Sequence, residues 1–121
     1  MKKHILIVDD EVEIRDLLQL FLTSSGYRVS AVETSLEAQR LVLTDKPDLI
    51  ISDLQLEDSD GLEMIEKLRA TLRDTPVILL TGVLFDAQSF RDTLSKKVSL
   101  YLIKTTPLAR IKVEIDRLLG K

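Results

Sequence analysis

Four short apolar runs in this chain each end on residues able to do chemistry. Ile5-Leu6-Ile7-Val8 ends on Asp9-Asp10-Glu11, and Leu49-Ile50-Ile51-Ser52 ends on Asp53. Val77-Ile78-Leu79-Leu80 ends on Thr81, and Tyr101-Leu102-Ile103 ends on Lys104. Three crowded carboxylates repel one another, and each unit of pKa perturbation corresponds to about 1.4 kcal/mol. A divalent cation relieves that repulsion. With only oxygen ligands to offer, such a site suits Mg²⁺ with several retained waters, and an Mg²⁺ site of this kind commonly serves a phosphoryl group. Thr81 supplies a hydroxyl donor and Lys104 a positive charge for phosphate oxygens. Asp53 is then placed as a carboxylate nucleophile that forms an acyl phosphate.

That chemistry requires a fold that brings the four strand ends together. Residues 4–8 read as a buried strand. Ile14, Leu17, Leu18, Phe21 and Leu22 recur at helical spacing over residues 11–24, and Ser25-Gly26 stops that helix with Gly26 as its C′ residue. Tyr27, Val29 and Ala31 alternate with polar residues as a half-buried edge strand. Thr34-Ser35-Leu36-Glu37 is a capping-box pattern opening a helix that carries Ala38, Leu41 and Val42. A third strand leads to Asp53, and a polar loop follows with Glu57, Asp58 and Asp60. Leu62, Ile65, Leu68 and Leu72 mark a third helix, and residues 76–80 a fourth strand closed by Thr81-Gly82. Ala87, Phe90 and Leu94 mark a weaker helix, and residues 99–103 a fifth strand. Thr106-Pro107 reads as an N-cap with Pro at N1 of a last helix carrying Leu108, Ile111, Ile115 and Leu118. The order is (βα)₅. Apolar runs without alternation mean a sheet covered on both faces, so a doubly wound, five-stranded parallel α/β fold is expected. The flavodoxin-like order 2-1-3-4-5 places the site at the switch point between strands one and three.

Composition narrows the alternatives. The 121 residues are expected to form one domain, residues 1–121. Zero Cys and one His exclude disulfide scaffolds, thiol catalysis and Cys-bearing zinc sites. No apolar stretch approaches a transmembrane span. The N-terminal Lys2-Lys3 and apolar run lack a small-residue cleavage site, so no signal peptide is expected and the location is read as cytoplasmic. Residues 1–60 carry thirteen acids against six bases, which concentrates negative charge in the first half. The mildly basic residues 86–121 read as solvated helix surface rather than a nucleic-acid or membrane contact. His4, at a strand start, is expected as an edge residue without a role.

The chain resembles the response-regulator receiver domain of two-component signalling. The resemblance rests on residues 5–11, residues 49–54, Asp60-Gly61-Leu62, residues 76–82 and Tyr101-Leu102-Ile103-Lys104, and covers essentially the whole chain. It implies that Asp53 is the phosphoacceptor for a sensor histidine kinase or phosphotransfer protein. It implies Asp10 and Asp53 as direct Mg²⁺ ligands, Asp9 acting through water, and the main-chain carbonyl of Gln55 as a third protein ligand. Thr81 and Lys104 become the phosphate partners, and Tyr101 the aromatic switch. Output would pass to a downstream protein or fused output domain through the fourth predicted helix, fifth strand and last helix, a face that could also form a homodimer. Gln55 and Val83 correspond to the positions flanking the hydrolytic water. Val83 cannot hydrogen-bond that water, so a long-lived aspartyl phosphate is expected.

Three departures stand out. Thr105 replaces the usual proline after the lysine. A cis non-proline bond costs roughly 2.5–4 kcal/mol, so a trans bond and an altered loop are expected. Glu57 replaces another proline, and Asp58-Ser59 make the loop more acidic, which bears on kinase docking or metal affinity. Lys97 and Leu100 replace a usual Gly and acid before the fifth strand. These departures motivate one alternative, a degenerate receiver that acts as a phosphorylation-independent interaction module. A more remote alternative is an FMN protein or an aspartate-nucleophile phosphatase. Three acids after strand one disfavour FMN phosphate, and adjacent rather than alternate acids disfavour the phosphatase.

Overall fold

Each apolar run becomes a strand whose successive side chains point to opposite faces, so a fully buried strand feeds two cores. The computed structural model describes residues 2–82 and 98–120. Its elements are β1 (His4–Val8), α1 (Val12–Ser24), β2 (Arg28–Val32), α2 (Ser35–Thr44), β3 (Leu49–Ser52), α3 (Gly61–Leu68), β4 (Val77–Thr81), β5 (Leu100–Ile103) and α4 (Leu108–Leu118). The five strands are parallel in the order β2-β1-β3-β4-β5. This is the doubly wound, flavodoxin-like arrangement expected from the alternation of runs and helices. The weaker helix read from Ala87, Phe90 and Leu94 lies outside the described residues, as do Val83 and Lys97.

The two cores divide the strands residue by residue. Leu6, Val8, Ile50 and Leu79 pack with Ala38 and Val42 of α2 and Met64, Ile65 and Leu68 of α3. Ile5, Ile7, Leu49, Ile51, Ile78 and Leu80 pack with Leu18 and Leu22 of α1 and Ile111 and Ile115 of α4. Register carries the site. Val8 pairs with Ser52, so Asp9 and Asp53 leave adjacent strands side by side. Thr81 pairs with Ile103, so Lys104 follows immediately beside it.

The helix boundaries mostly follow their local signals. Gly26 has φ +99°, and its N–H bonds to the Thr23 carbonyl while that of Tyr27 bonds to Leu22, a complete Schellman closure of α1. Thr34 caps α2 by accepting from the Glu37 N–H at 3.2 Å. At α4 the signal shifts by one residue. The N-cap is Pro107 with no side-chain cap bond, and the helix starts at Leu108. The reason is the preceding turn, where the Thr106 N–H bonds to the Ile103 carbonyl at 2.9 Å and keeps Thr106 out of the cap position. The Lys104–Thr105 bond is trans, as expected, and no cis peptide occurs among the described residues.

His4 is a correction. It is not an edge residue but is 1% exposed, because β1 lies between β2 and β3. Its ring contacts the Lys46 carbonyl at 3.2 Å and the Ser30 hydroxyl at 2.7 Å, which satisfies both nitrogens in the interior.

Candidate functional site

The carboxyl ends of β1, β3, β4 and β5 converge. The Asp53 backbone N–H bonds to the Val8 carbonyl at 2.9 Å, and the Lys104 N–H bonds to the Thr81 carbonyl at 2.8 Å, so the sheet ladders carry on into the site residues themselves. Asp9 is 2% exposed and Asp53 6%. Asp10 and Glu11 are exposed. Carboxylate oxygens from Asp9, Asp10, Glu11 and Asp53 all lie within 4.8 Å of one another. An all-oxygen donor set of this charge is suited to a hard divalent cation.

Lys104 reaches into this cluster. Its Nζ donates to Asp53 Oδ2 at 2.9 Å and Glu11 Oε1 at 2.6 Å, and lies 3.2 Å from Asp9 Oδ2. One ammonium therefore meets three of the four clustered carboxylates. Burial acts to lower the Lys104 pKa, but the hydrogen bonds to Glu11 and Asp53 and the charges of Asp9 and Asp53 together outweigh it and hold the ammonium above its ordinary range. Burial pushes the Asp9 carboxyl above its ordinary range, opposed by the Glu11 N–H and by Lys104. Buried acids this close favour any arrangement that adds positive charge.

The remaining predicted residues fall as follows. Thr81 is buried as the last residue of β4. Tyr101 is half-buried, opposite Leu79, and packs against the core under α2 and α3. Thr81 lies two residues beyond Leu79, so strand alternation puts it on the same sheet face as Tyr101. The Gln55 N–H lies 3.4 Å from Asp53 Oδ1. Val83 lies outside the described residues.

The acids after β1 do more than cap a helix. Glu11 occupies the N-cap of α1 without a side-chain cap bond, because its carboxylate turns to Lys104. Asp9 Oδ1 instead accepts the Glu11 N–H at 2.9 Å, which fixes its rotamer. The loop after β3 behaves differently from its charge. Of its acids only Asp53 joins the cluster among the described residues. Asp60 caps α3 by accepting the Leu62 N–H at 2.7 Å. Asp58 accepts the N–H groups of Ser35 at 2.8 Å and Leu36 at 3.1 Å, at the start of α2. Those bonds, that from Ser35 foremost, hold its carboxyl below the ordinary range. Asp58 and Asp60 thus serve helix termini and not the carboxylate cluster.

Glu11 is legible as one of the acids ending the first run but its partner is not, and Arg15 and Gly61 have no local signal of a role in the sequence, or only a weak one. Glu11 pairs with a lysine 93 residues away. The Arg15 guanidinium donates to the Asp9 carbonyl at 2.8 Å and braces the turn out of β1. Gly61 packs directly on the backbone of Asp53, where a Cβ would meet the Asp53 carbonyl oxygen and lie 3.1 Å from the Leu54 oxygen. For Gly61 the signal is the Asp60-Gly61-Leu62 triplet.

A family model described as the response regulator receiver domain matches residues 5–116. The response regulator MprA of Mycobacterium ulcerans is 33% identical over 99 residues, covering 82% of this chain and 39% of that protein. The regulatory protein VirG of Agrobacterium fabrum is 38% identical over 80 residues, 66% of this chain and 31% of that protein. The chain thus spans about two-fifths or less of the length of these curated relatives. Among solved structures, the response regulator TrrA of Thermotoga maritima, in complex with Mg²⁺ and beryllofluoride, aligns with a TM-score of 0.83 at 32% identity. That alignment covers 97% of this chain and 99% of that one. A CheY-like receiver domain protein from Methanospirillum hungatei aligns with a TM-score of 0.91 at 26% identity, covering 99% and 95%. No helix among the described residues is long and apolar enough to cross a membrane.

Proposed function

The chain belongs to the response-regulator receiver-domain family of two-component signalling, and from that membership we propose that Asp53 is its phosphoacceptor. The observation that carries the reading is the convergence of Asp53 with three further acids and Lys104 at the strand ends. A carboxylate oxygen of Asp53 attacks the phosphorus of a phosphohistidine presented by a sensor histidine kinase or phosphotransfer protein. The new P–O bond forms as the P–N bond breaks, and its electron pair leaves with the imidazole. Lys104 holds one Asp53 oxygen and offers its charge to the incoming phosphate. Thr81 supplies a hydroxyl donor to the same group, and Tyr101, on the same sheet face, reports its movement. The chain acts as a regulatory acceptor, turning over only its own phosphate. Its output passes to a downstream protein or an attached domain.

Asp9, Asp10 and Asp53, with the Gln55 carbonyl, would hold Mg²⁺. Bound there, the ion supplies charge neutralisation for the transferring phosphoryl oxygens.

Incubation with acetyl phosphate and Mg²⁺ is expected to add one phosphoryl group, a mass gain of about 80 Da. No adduct under saturating donor overturns the reading and leaves a phosphorylation-independent interaction module. A yellow purified protein, or turnover of a chromogenic phosphate ester, would instead indicate an enzyme.

The cation is tested separately. Mg²⁺ at 100 times its dissociation constant should stabilise the fold by about 2.7 kcal/mol. Asp10→Asn removes one exposed ligand and one repelling charge. It is expected to raise the metal-free melting temperature and to flatten its Mg²⁺ dependence. A variant that keeps the full Mg²⁺ shift would remove Asp10 from the ligand set.

A further inference from the structure

Asp58 lies three residues beyond Gln55 in the loop that carries the acceptor from β3 to α3, yet its carboxylate bonds to a different element. It takes the Ser35 and Leu36 N–H groups. Thr34 takes that of Glu37 on its hydroxyl, and the regular helix ladder begins with the Ala38 N–H on the Thr34 carbonyl. Of the N–H groups of Ser35, Leu36 and Glu37, which have no partner within the helix, the loop after β3 thus takes two and the helix's own cap one. A carboxylate there also meets the positive end of the helix dipole.

The loop's other polar bonds close it on itself or onto α3. Gln55 and Asp60 form an antiparallel bridge, the Leu56 N–H bonds to Ser59 O at 2.9 Å, and Gly61 N–H bonds to Leu54 O at 2.6 Å. Leu54 and Leu56 are buried in the core beneath α2 and α3 and fix the loop's depth. Apolar burial is non-directional and leaves its orientation open. The two bonds of Asp58 are directional and tie the loop tip to a second rigid element.

We propose that Asp58 is a positioning residue for the acceptor site, holding the loop so that the Gln55 main chain stays beside the Asp53 carboxylate. The inference rests on the phosphoacceptor reading. It predicts that releasing Asp58 loosens the site as well as the helix. Partners that orient metal ligands are worth about 10–100-fold in affinity, and Asp58 acts one step further out, so a loss of about fivefold is expected.

The test compares Asp58→Ala, Asp58→Asn and Thr34→Ala by thermal melting, by Mg²⁺ binding in a calorimeter and by acetyl-phosphate labelling rate. Asp58→Ala and Thr34→Ala each remove a cap from the same helix, so both should lower the melting temperature. Only Asp58→Ala should weaken Mg²⁺ about fivefold and slow labelling to match. Asp58→Asn keeps one accepting oxygen and should recover part of the loss. Equal Mg²⁺ affinity in Asp58→Ala and wild type overturns the inference and reduces Asp58 to a helix cap. Equal weakening by Thr34→Ala overturns it too, because the effect would then belong to α2. A wild type that binds no Mg²⁺ and takes no phosphoryl group overturns instead the phosphoacceptor reading on which both stand.

Discussion

Asp53→Asn is expected to abolish acetyl-phosphate labelling completely and, without metal, to give a protein more stable than wild type. The first effect follows from chemistry. A neutral amide lacks the carboxylate oxygen that must attack phosphorus. Asp9 does not replace it, because its Oδ1 is held by the Glu11 N–H and its carboxylate is nearly fully buried. The second effect follows from charge. Among the described residues Asp53 has one cationic partner, Lys104 at 2.9 Å, and three other acids with oxygens within 4.8 Å. Lys104 keeps Glu11 and Asp9 when Asp53 is neutralised. Like charges at this spacing interact by about 1 kcal/mol in high dielectric and more in low, so removing the charge should stabilise by about 1 kcal/mol. For a domain of this size that is a rise of roughly 4 °C in melting temperature. Intact mass and a melting curve read both. Continued labelling of Asp53→Asn would assign acceptance to another carboxylate. Lost labelling with a lowered melting temperature would mean the substitution acts through the fold.

The opposite signs mark a place where this sequence conflicts with itself. Stability alone would not crowd four carboxylates together with one lysine paired to three of them, and functional sites are where such local rules break. That conflict is legible in the order of residues alone. Asp9, Asp10, Asp53, Thr81 and Lys104 each closely follow an apolar run, and strand order brings those ends together. The fold is legible for the same reason, since runs such as Ile5–Val8 and Val77–Leu80 have no polar face and need helices on both sides. Pairing at long range is not legible. Asp58 and Asp60 look equally solvated in the sequence, and nothing local reveals that one caps α3 while the other caps α2 across 22 residues. Glu11 looks like a helix cap because acids suit that position, but the nearby ammonium of Lys104 outcompetes a backbone N–H for it. His4 looks peripheral because burial at a strand's first residue depends on its neighbours. Here those are Arg28 on β2 and the chain entering β3, where the Asp48 N–H bonds to the His4 carbonyl.

Gly61→Ala carries the other large effect, and its sign separates two explanations of the glycine. Helix propensity favours alanine over glycine by up to about 1 kcal/mol, so a Gly at the first position of α3 would be improved by the change. Gly61 does not have a positive φ, so no backbone strain opposes it. Contact does oppose it. An added Cβ would run into the Asp53 carbonyl oxygen and sit 3.1 Å from both the Asp53 carbonyl carbon and the Leu54 oxygen. These are backbone atoms just past the end of β3, and they cannot rotate away as a side chain would. Relief requires α3 to withdraw or the Asp53–Leu54 segment to shift, and either breaks the 2.6 Å bond from Gly61 N–H to the Leu54 carbonyl. Overpacking of this kind costs about 1–3 kcal/mol, so the net loss should be about 2 kcal/mol or more, a fall of at least roughly 8 °C in melting temperature. Because the displaced atoms belong to Asp53 itself, labelling by acetyl phosphate should slow in the folded fraction as well. A Gly61→Ala protein as stable as wild type, and labelled as fast, would show that α3 can be moved without moving the acceptor.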